Sequence, residues 1–141
     1  MKGYRIPQPV NEPVCGYVPG SPEREKLKTV LNELKSKQIE IPLVIDGKEV
    51  RTDKKVKITA PHDHNLVLGY AYHGGKKEFQ MAIDAALKAQ KSWAALPAEQ
   101  RVAVFLRAAD LLAGPYRHLM NAATMLAHSK NPFQAEIDGV C

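Results

Sequence analysis

Residues 66–87, LVLGYAYHGGKKEFQMAIDAAL, contain the change of hydrophobic period that decides the fold. The run from Leu66 to Tyr72 is typical of a β-strand, and it ends before the pair Gly74 and Gly75. From Lys76 onward the apolar residues follow helical spacing, so the stretch predicts a strand that leads into a helix. With strands before this boundary and helices on both sides of the strand region, the sequence predicts an α/β chain.

The segment before the boundary, residues 41–72, is predicted to form two antiparallel β-hairpins or a short meander. Ile41 to Ile45 favours a strand, and Asp46-Gly47 is a hairpin turn signal. Further on, apolar and polar residues alternate, and Pro61 to Asn65 predicts a second turn. Because two-stranded units are at best marginally stable alone, this β-region is expected to need a cover.

Two other elements precede the strands. Residues 1–20 are rich in proline and turn formers, so they are predicted to form an extended arm. Residues 21–37 are predicted to form a helix, because Ser21 can cap it and Pro22 suits the first helical position. The apolar stripe of that helix consists of Leu27, Val30, Leu31 and Leu34.

Residues 76–141 are predicted to form about four helices. Leu96-Pro97 and Gly114-Pro115 separate the first three, and Asn131-Pro132 opens the fourth. The sequence ends without a stop signal for that fourth helix, which predicts a piece of a longer protein. The apolar stripes of the first two helices are expected to need another domain as a cover, with that of the second facing inward and Trp93 packed between the two helices in the complete protein. These two stripes consist of Phe79, Ile83, Ala86, Leu87, Gln90 and Trp93, and of Val102, Phe105, Leu106, Ala109 and Leu112.

Composition favours an ordinary globular protein. The chain has 141 residues, of which 45% are hydrophobic and 25% charged, and its formal net charge is +5. The lysines are scattered among acidic neighbours, so a solvated surface explains the charge better than nucleic-acid binding. No apolar run has the length of a membrane span. The two cysteines, Cys15 and Cys141, suit a reducing compartment, and without a recognisable leader the predicted location is the cytoplasm.

The residues that could carry chemistry are better explained as structure. His62 and His64 lie in a turn without further metal ligands at a fixed spacing. Gly74-Gly75 lacks the frame of a phosphate-binding loop, and Cys141 has no histidine pattern to activate it. Catalytic, cofactor-binding and metal sites are therefore all predicted to be absent from this chain. The same reasoning leaves Cys15 inert and Asp84, Asp110 and Asp138 on separate helices without pairing.

A series of short blocks runs along essentially the whole chain. They are Asn11-Glu12-Pro13-Val14, Gly20-Ser21-Pro22-Glu23-Arg24, Ile45-Asp46-Gly47-Lys48-Glu49-Val50, Pro61-His62-Asp63-His64, Ala82-Ile83-Asp84-Ala85-Ala86-Leu87, Trp93, Phe105-Leu106-Arg107-Ala108-Ala109-Asp110-Leu111-Leu112, Ala113-Gly114-Pro115-Tyr116-Arg117, Asn121-Ala122-Ala123-Thr124-Met125 and Gln134-Ala135-Glu136-Ile137-Asp138. In this order and spacing they resemble the N-terminal segment of the L-glutamate γ-semialdehyde dehydrogenases, also called pyrroline-5-carboxylate dehydrogenases. That family belongs to the aldehyde dehydrogenase superfamily.

The resemblance implies a fold, a reaction and a cofactor. In this family an arm, hairpins and several helices pack on a Rossmann-type NAD-binding domain, so residues 76–141 would be the helical segment of an incomplete NAD-binding domain. These enzymes oxidise glutamate γ-semialdehyde, which equilibrates with pyrroline-5-carboxylate, to glutamate in proline degradation. A cysteine thiolate attacks the aldehyde and hydride passes to NAD. The resemblance places the nucleophile, the general base and the NAD site beyond residue 141.

For the complete enzyme the resemblance implies a homo-oligomer that binds NAD and a small-molecule substrate, with no nucleic acid and no membrane. It adds the mitochondrial matrix as an alternative to the cytoplasm. The chain alone is predicted to be inactive. A second class of function stays open, namely a non-catalytic interaction or regulatory module derived from the same family.

Overall fold

A computed structural model describes residue 8 and residues 10–140. The predicted arm therefore lies partly outside the described residues, and Cys141 lies wholly outside them. The described part of the chain contains five helices and five strands. They are α1 (Pro22–Ser36), β1 (Ile39–Ile41), β2 (Leu43–Ile45), β3 (Lys48–Val50), β4 (Lys55–Ala60), β5 (Asp63–Tyr72), α2 (Lys76–Ala95), α3 (Ala98–Ala113), α4 (Arg117–His128) and α5 (Pro132–Gly139).

A tight turn connects the arm to α1. The backbone N–H of Ser21 donates to the carbonyl of Val18 at 3.1 Å, and Gly20 has a φ of 80°. A turn of this kind requires a positive φ at its third residue, where glycine has no steric cost. Ser21 then caps α1, because its hydroxyl accepts a hydrogen bond from the backbone N–H of Arg24 at 3.4 Å. The arm consequently lies against α1.

The strands form two sheets, one of which differs from the prediction. β2 and β3 make an antiparallel hairpin, and the other sheet has the order β1-β5-β4. β4 and β5 are antiparallel, but β1 pairs parallel with β5. Both antiparallel hairpins expected over residues 41–72 are present, as β2–β3 and β4–β5, and the parallel strand β1 is an addition that the sequence did not predict. Pro42 has no N–H to donate, and it divides the predicted strand from Ile41 to Ile45 between the two sheets.

The second predicted turn is shorter than the sequence suggests, since β5 begins at Asp63 and only Pro61 and His62 form the turn. β1 approaches β5 closely at Gly69, which stands opposite Ile39 in the register. A Cβ atom at position 69 would lie 2.2 Å from the carbonyl oxygen of Ile39. The missing side chain at Gly69 thus permits a parallel pairing that the sequence pattern did not predict.

The buried core lies where the arm, α1, α4 and α5 meet. Tyr17 from the arm packs with Leu27 of α1 and Ala122 of α4. Around them lie the partly buried side chains of Val30, Leu31, Leu34 and Met125. The apolar stripe of α1 therefore faces this core, as its helical spacing indicates.

α2 and α3, all of whose residues the structure describes, bury none of their side chains. Phe79 is 72% exposed, Phe105 is 68% exposed and Trp93 is 42% exposed. These exposures agree with the expectation that another domain covers the stripes, and the packing of Trp93 between the two helices, which was predicted for the complete protein, stays a prediction. α2 mainly contacts β2, and α3 mainly contacts α4, so the described elements leave both apolar sides uncovered. No helix among the described residues combines the length and the hydropathy needed to cross a bilayer.

The close approach at Gly69 predicts the effect of adding a methyl group there. We expect Gly69→Ala to lower the free energy of unfolding by about 1–3 kcal/mol, because the strand pair must separate to admit the new atom. Gly16→Ala is the matched control, since its Cβ would meet Val18 at an ordinary 3.7 Å. Urea unfolding followed by circular dichroism measures both variants. Equal stability of the two would contradict the described register.

The uncovered sides of α2 and α3 predict self-association of the isolated chain. Apolar patches of this extent cause proteins to associate. Sedimentation velocity at rising protein concentration should show oligomers, and Phe105→Asp should shift the distribution toward monomer. Val10→Asp, at an exposed valine of the arm, should leave the distribution unchanged. A monodisperse parent chain with a sharp cooperative melt would overturn this prediction.

Candidate functional site

The carboxylate of Glu136, on α5, is the centre of a buried polar network. Its side chain is 0% exposed. Oε1 accepts hydrogen bonds from the backbone N–H of Cys15 at 2.9 Å and from Nε of Arg117 at 3.0 Å, and Nη2 of Arg117 donates to it as well. Oε2 accepts from the hydroxyl of Tyr17 at 2.6 Å and from Nδ2 of Asn121 at 2.5 Å. A buried carboxylate requires such partners, because burying an unpaired charge is costly.

Local sequence places Glu136 toward α4. Asn131 caps α5 and accepts from the backbone N–H of Gln134 at 2.9 Å, while Gln134 accepts in return from the N–H of Asn131 at 3.1 Å. This reciprocal capping box fixes the first turn of α5, and hence the direction of the following turn, which contains Glu136. On α4, Arg117 and Asn121 are four residues apart, so they lie on one face and reach the carboxylate together.

The same network holds the arm in place. Nη2 of Arg117 donates to the carbonyl of Pro13 at 2.5 Å, and Nη1 of Arg24 donates to the carbonyl of Tyr17 at 3.1 Å. Tyr17 has a φ of 51°, in the left-handed region that side chains other than glycine seldom adopt. The surrounding contacts keep this conformation, since the ring is buried and its hydroxyl also accepts from Asn121 at 2.7 Å.

The network sets the charge of its members. Burial by itself raises the pKa of Glu136, but the hydrogen bonds from Arg117, Tyr17, Cys15 and Asn121 outweigh it and lower the pKa to about 2. Burial, and then the hydrogen bond to Glu136, raise the pKa of Tyr17. The hydrogen bond to the carboxylate of Glu136 is the main cause of the raised pKa of Arg117. The centre is thus an ion pair of charged Glu136 and charged Arg117 with a neutral tyrosine beside it.

This arrangement is suited to holding structure and not to proton transfer. A carboxylate with a pKa near 2 is a poor general base at neutral pH, and the donors around Glu136 already occupy both of its oxygens. Two buried atoms have no hydrogen-bond partner among the described residues, Nδ1 of His118 and Oδ1 of Asn121. Burial first, and then Lys26 and Arg117, lower the pKa of His118, which favours its neutral imidazole.

The residues that the sequence analysis considered for metal binding, phosphate binding or catalysis do not lie together in the fold. Nδ1 of His62 lies 2.8 Å from the hydroxyl of Ser129, where it links the β4–β5 turn to the end of α4. Gly75 is the N-cap of α2, and its N–H donates to Glu78 at 2.8 Å, as in a plain strand-to-helix connection. Burial raises the pKa of the Cys15 thiol. Among the described residues, no group of three or more His, Cys, Asp or Glu could hold a metal ion.

The Glu136 network was not predicted from the sequence. The spacing of Arg117 and Asn121 was available as a signal, but their acceptor lies on another helix and their further partners lie in the arm. Tyr17 is separated from Glu136 by 119 positions in the sequence. Only packing of α1, α4 and α5 brings these groups within hydrogen-bond distance.

The lowered pKa of Glu136 predicts a dependence of stability on pH. We expect Glu136→Gln to lower the free energy of unfolding by about 3–5 kcal/mol at pH 7, because Arg117 loses its buried partner. The folded pKa of about 2 lies below the ordinary 4.5. The parent chain therefore has this stabilisation in full above pH 4.5 and loses it as the pH falls toward 2, whereas the variant has none to lose.

The stability difference between parent and variant should accordingly shrink between pH 4.5 and pH 2. Urea unfolding at low protein concentration, at several pH values, measures it. Glu33→Gln is the matched control, since Glu33 lies exposed on α1 and should change stability by less than about 0.5 kcal/mol. A difference that stays constant across this window would show that Glu136 is not the titrating group.

Comparison with known proteins agrees with the fold and with the sequence blocks. A sequence model of the aldehyde dehydrogenase family matches residues 49–138. The delta-1-pyrroline-5-carboxylate dehydrogenase of Agaricus bisporus is 44% identical over 136 residues, which are 96% of this chain and 25% of that protein. The mitochondrial delta-1-pyrroline-5-carboxylate dehydrogenase of Dictyostelium discoideum is 41% identical and covers 94% of this chain, which matches 24% of that protein.

Solved structures give the same result. The Delta-pyrroline-5-carboxylate dehydrogenase from Mycobacterium tuberculosis, crystallised with NAD and cobalamin, superposes with a TM-score of 0.95 at 47% identity over 98% of this chain and 26% of that chain. A mutant of the Thermus thermophilus 1-pyrroline-5-carboxylate dehydrogenase gives a TM-score of 0.88 at 27% identity, over 97% of this chain and 26% of that chain.

This chain thus spans about a quarter of the length of these relatives. The resemblance to pyrroline-5-carboxylate dehydrogenases and the predicted α/β fold, the N-terminal part of an aldehyde dehydrogenase fold, are both confirmed. The family match extends over residues 49–138 and the structural match over 98% of the chain, so the chain belongs to the aldehyde dehydrogenase family.

Proposed function

We propose that this chain forms the N-terminal part of an NAD-dependent dehydrogenase that oxidises L-glutamate γ-semialdehyde, in equilibrium with pyrroline-5-carboxylate, to glutamate. The observation that carries the proposal is the superposition on the M. tuberculosis pyrroline-5-carboxylate dehydrogenase, with a TM-score of 0.95 at 47% identity. Agreement of this quality, together with relatives of the same name in a fungus and an amoeba, favours this substrate over other aldehydes.

In this proposal the chain contributes architecture to the enzyme. The Glu136 network fixes the arm, α1, α4 and α5 as one unit, and none of its groups is free to act as a base or a nucleophile. The described residues also offer no strand-to-helix loop suited to a dinucleotide, since Glu78 already occupies the N–H of Gly75. The catalytic cysteine and the NAD site would belong to the three quarters of the fold that this chain does not match.

The complete enzyme is inferred to be a homo-oligomer, with NAD and a small-molecule substrate as its ligands. The cytoplasm and the mitochondrial matrix are both retained as locations, because the name of the D. discoideum relative places that protein in mitochondria. The second candidate function, a non-catalytic interaction module, is favoured by the uncovered apolar sides of α2 and α3.

Fusion to a relative tests the proposed function. The chain would replace the matching quarter of the M. tuberculosis enzyme, and NADH formation would be followed by absorbance with pyrroline-5-carboxylate as substrate. We expect the fused protein to retain activity within about tenfold of the parent enzyme, since the replaced part carries no catalytic group. The chain alone should form no NADH above a buffer blank. A fused protein that folds and binds NAD, yet leaves the substrate unoxidised, would reject the proposal.

A further inference from the structure

We propose that the cleft between α1 and α4, which has Lys26 and His118 on its walls, is a binding site for a small organic carboxylate with one negative charge and a short apolar body. We call this site the α1–α4 cleft. The inference goes beyond the proposed function, because the site lies apart from any dehydrogenase chemistry and is formed by elements of this chain alone.

The α1–α4 cleft has a volume of about 470 Å³. On one wall α1 provides Lys26, Val30 and Glu33, and on the other the start of α4 provides His118 and Leu119. The three positions on α1 are spaced by four and three residues, so they share one side of that helix. Both helices also contribute to the buried core around Tyr17, which fixes the two walls relative to each other.

His118 presents a single hydrogen-bond donor to the cleft. Its Nδ1 is buried and has no hydrogen-bond partner among the described residues. A buried N–H without an acceptor is rarely tolerated, so the proton of the neutral imidazole belongs on Nε2. Because the ring borders the cleft and Nδ1 is turned into the protein, Nε2–H is the group that a ligand meets.

Positive charge surrounds this donor. Lys26 borders the same cleft, and it takes part in none of the ion pairs among the described residues. Burial, and then Lys26 and Arg117, lower the pKa of His118, while Glu136 and Glu23 oppose them. A carboxylate between Lys26 and His118 would pair with the ammonium and accept from Nε2–H. It would also stabilise the imidazolium, because an opposite charge favours the charged form.

The remaining lining selects a monoanion with an apolar body. Val30 and Leu119 offer apolar surface to a short carbon chain. Glu33 lies seven residues from Lys26, which is about 10 Å along the helix axis. Its carboxylate is likewise outside the ion pairs of the described residues, so it would repel a second anionic group at that end. A monocarboxylate such as butyrate therefore fits better than a dicarboxylate such as succinate.

Titration of the histidine ring signals with butyrate tests the inference. The chain, isotope-labelled in histidine and kept at low concentration, would be followed by NMR while sodium butyrate replaces sodium chloride at constant ionic strength. His118→Gln identifies the His118 signal. We expect a saturable shift of that signal, and we expect saturating butyrate to raise the midpoint of its pH titration by about 0.5, because the bound carboxylate stabilises the imidazolium. His128, exposed on α4, should not respond.

Two lysines on α1 form a matched pair of variants. Both are exposed, but Lys28 pairs with Glu25 at 2.8 Å and does not line the cleft. Lys26→Met should weaken butyrate binding by about fivefold or more, because a charge-assisted contact is lost. Lys28→Met should leave binding unchanged, and circular dichroism checks that both variants are folded. Succinate should bind the parent chain more weakly than butyrate, and Glu33→Gln should narrow that difference.

Three results would overturn the inference. Equal shifts of His118 and His128, or shifts that grow linearly with butyrate, would show a general salt effect. Unchanged binding by Lys26→Met would place the anion elsewhere, and equal binding of succinate and butyrate would contradict the ligand class. None of these measurements involves NADH formation. A failure here therefore leaves the proposed function standing, and an inactive fused protein leaves the α1–α4 cleft untouched.

Discussion

The buried ion pair of Glu136 and Arg117 is the interaction on which the rest of this structure depends. A charged carboxylate with no exposure to solvent is stable only if donors surround it, and here four residues from two parts of the chain supply them. Arg117 and Asn121 come from α4, and Tyr17 and the backbone of Cys15 come from the arm. Because removal of any one donor leaves the charge less well paired, the arm and the helices are fixed relative to one another.

This network explains why a segment without regular structure is ordered at all. The arm from Pro13 to Tyr17 buries little apolar surface apart from the ring of Tyr17, and Val14 and Val18 remain exposed. Polar contacts to its backbone substitute for the ladder of a strand or a helix. The left-handed backbone of Tyr17 is tolerated because the ring, the hydroxyl and the carbonyl are each held by a different neighbour.

The molecule therefore has two parts of different physical character. Around Glu136 the chain has a small buried core of Tyr17, Leu27 and Ala122, and the oxygens of Glu136 are satisfied by hydrogen bonds. Along α2 and α3 it has well-formed helices whose apolar sides no described element covers. The first character suits an independently packed unit, and the second suits one part of a larger fold. Relatives about four times as long agree with the second, and the family membership accounts for both.

Sequence by itself determined the local features, because their causes lie within a few residues. Ser21 and Pro22 at the start of α1, the Asp46-Gly47 turn and the Asn131–Gln134 box are all observed where the pattern indicated them. The family also followed from sequence, since ordered blocks along the whole chain are specific even where no single motif is. What only the tertiary structure decided involves residues far apart in the chain. The parallel pairing of β1 depends on the space at Gly69, and the exposure of Trp93 depends on which elements cover α2. The charge of Glu136 depends first on Arg117 and then on Tyr17, which is 119 positions away in the sequence. The hydrophobic period shows which side of a helix is apolar, but it does not indicate which element covers that side.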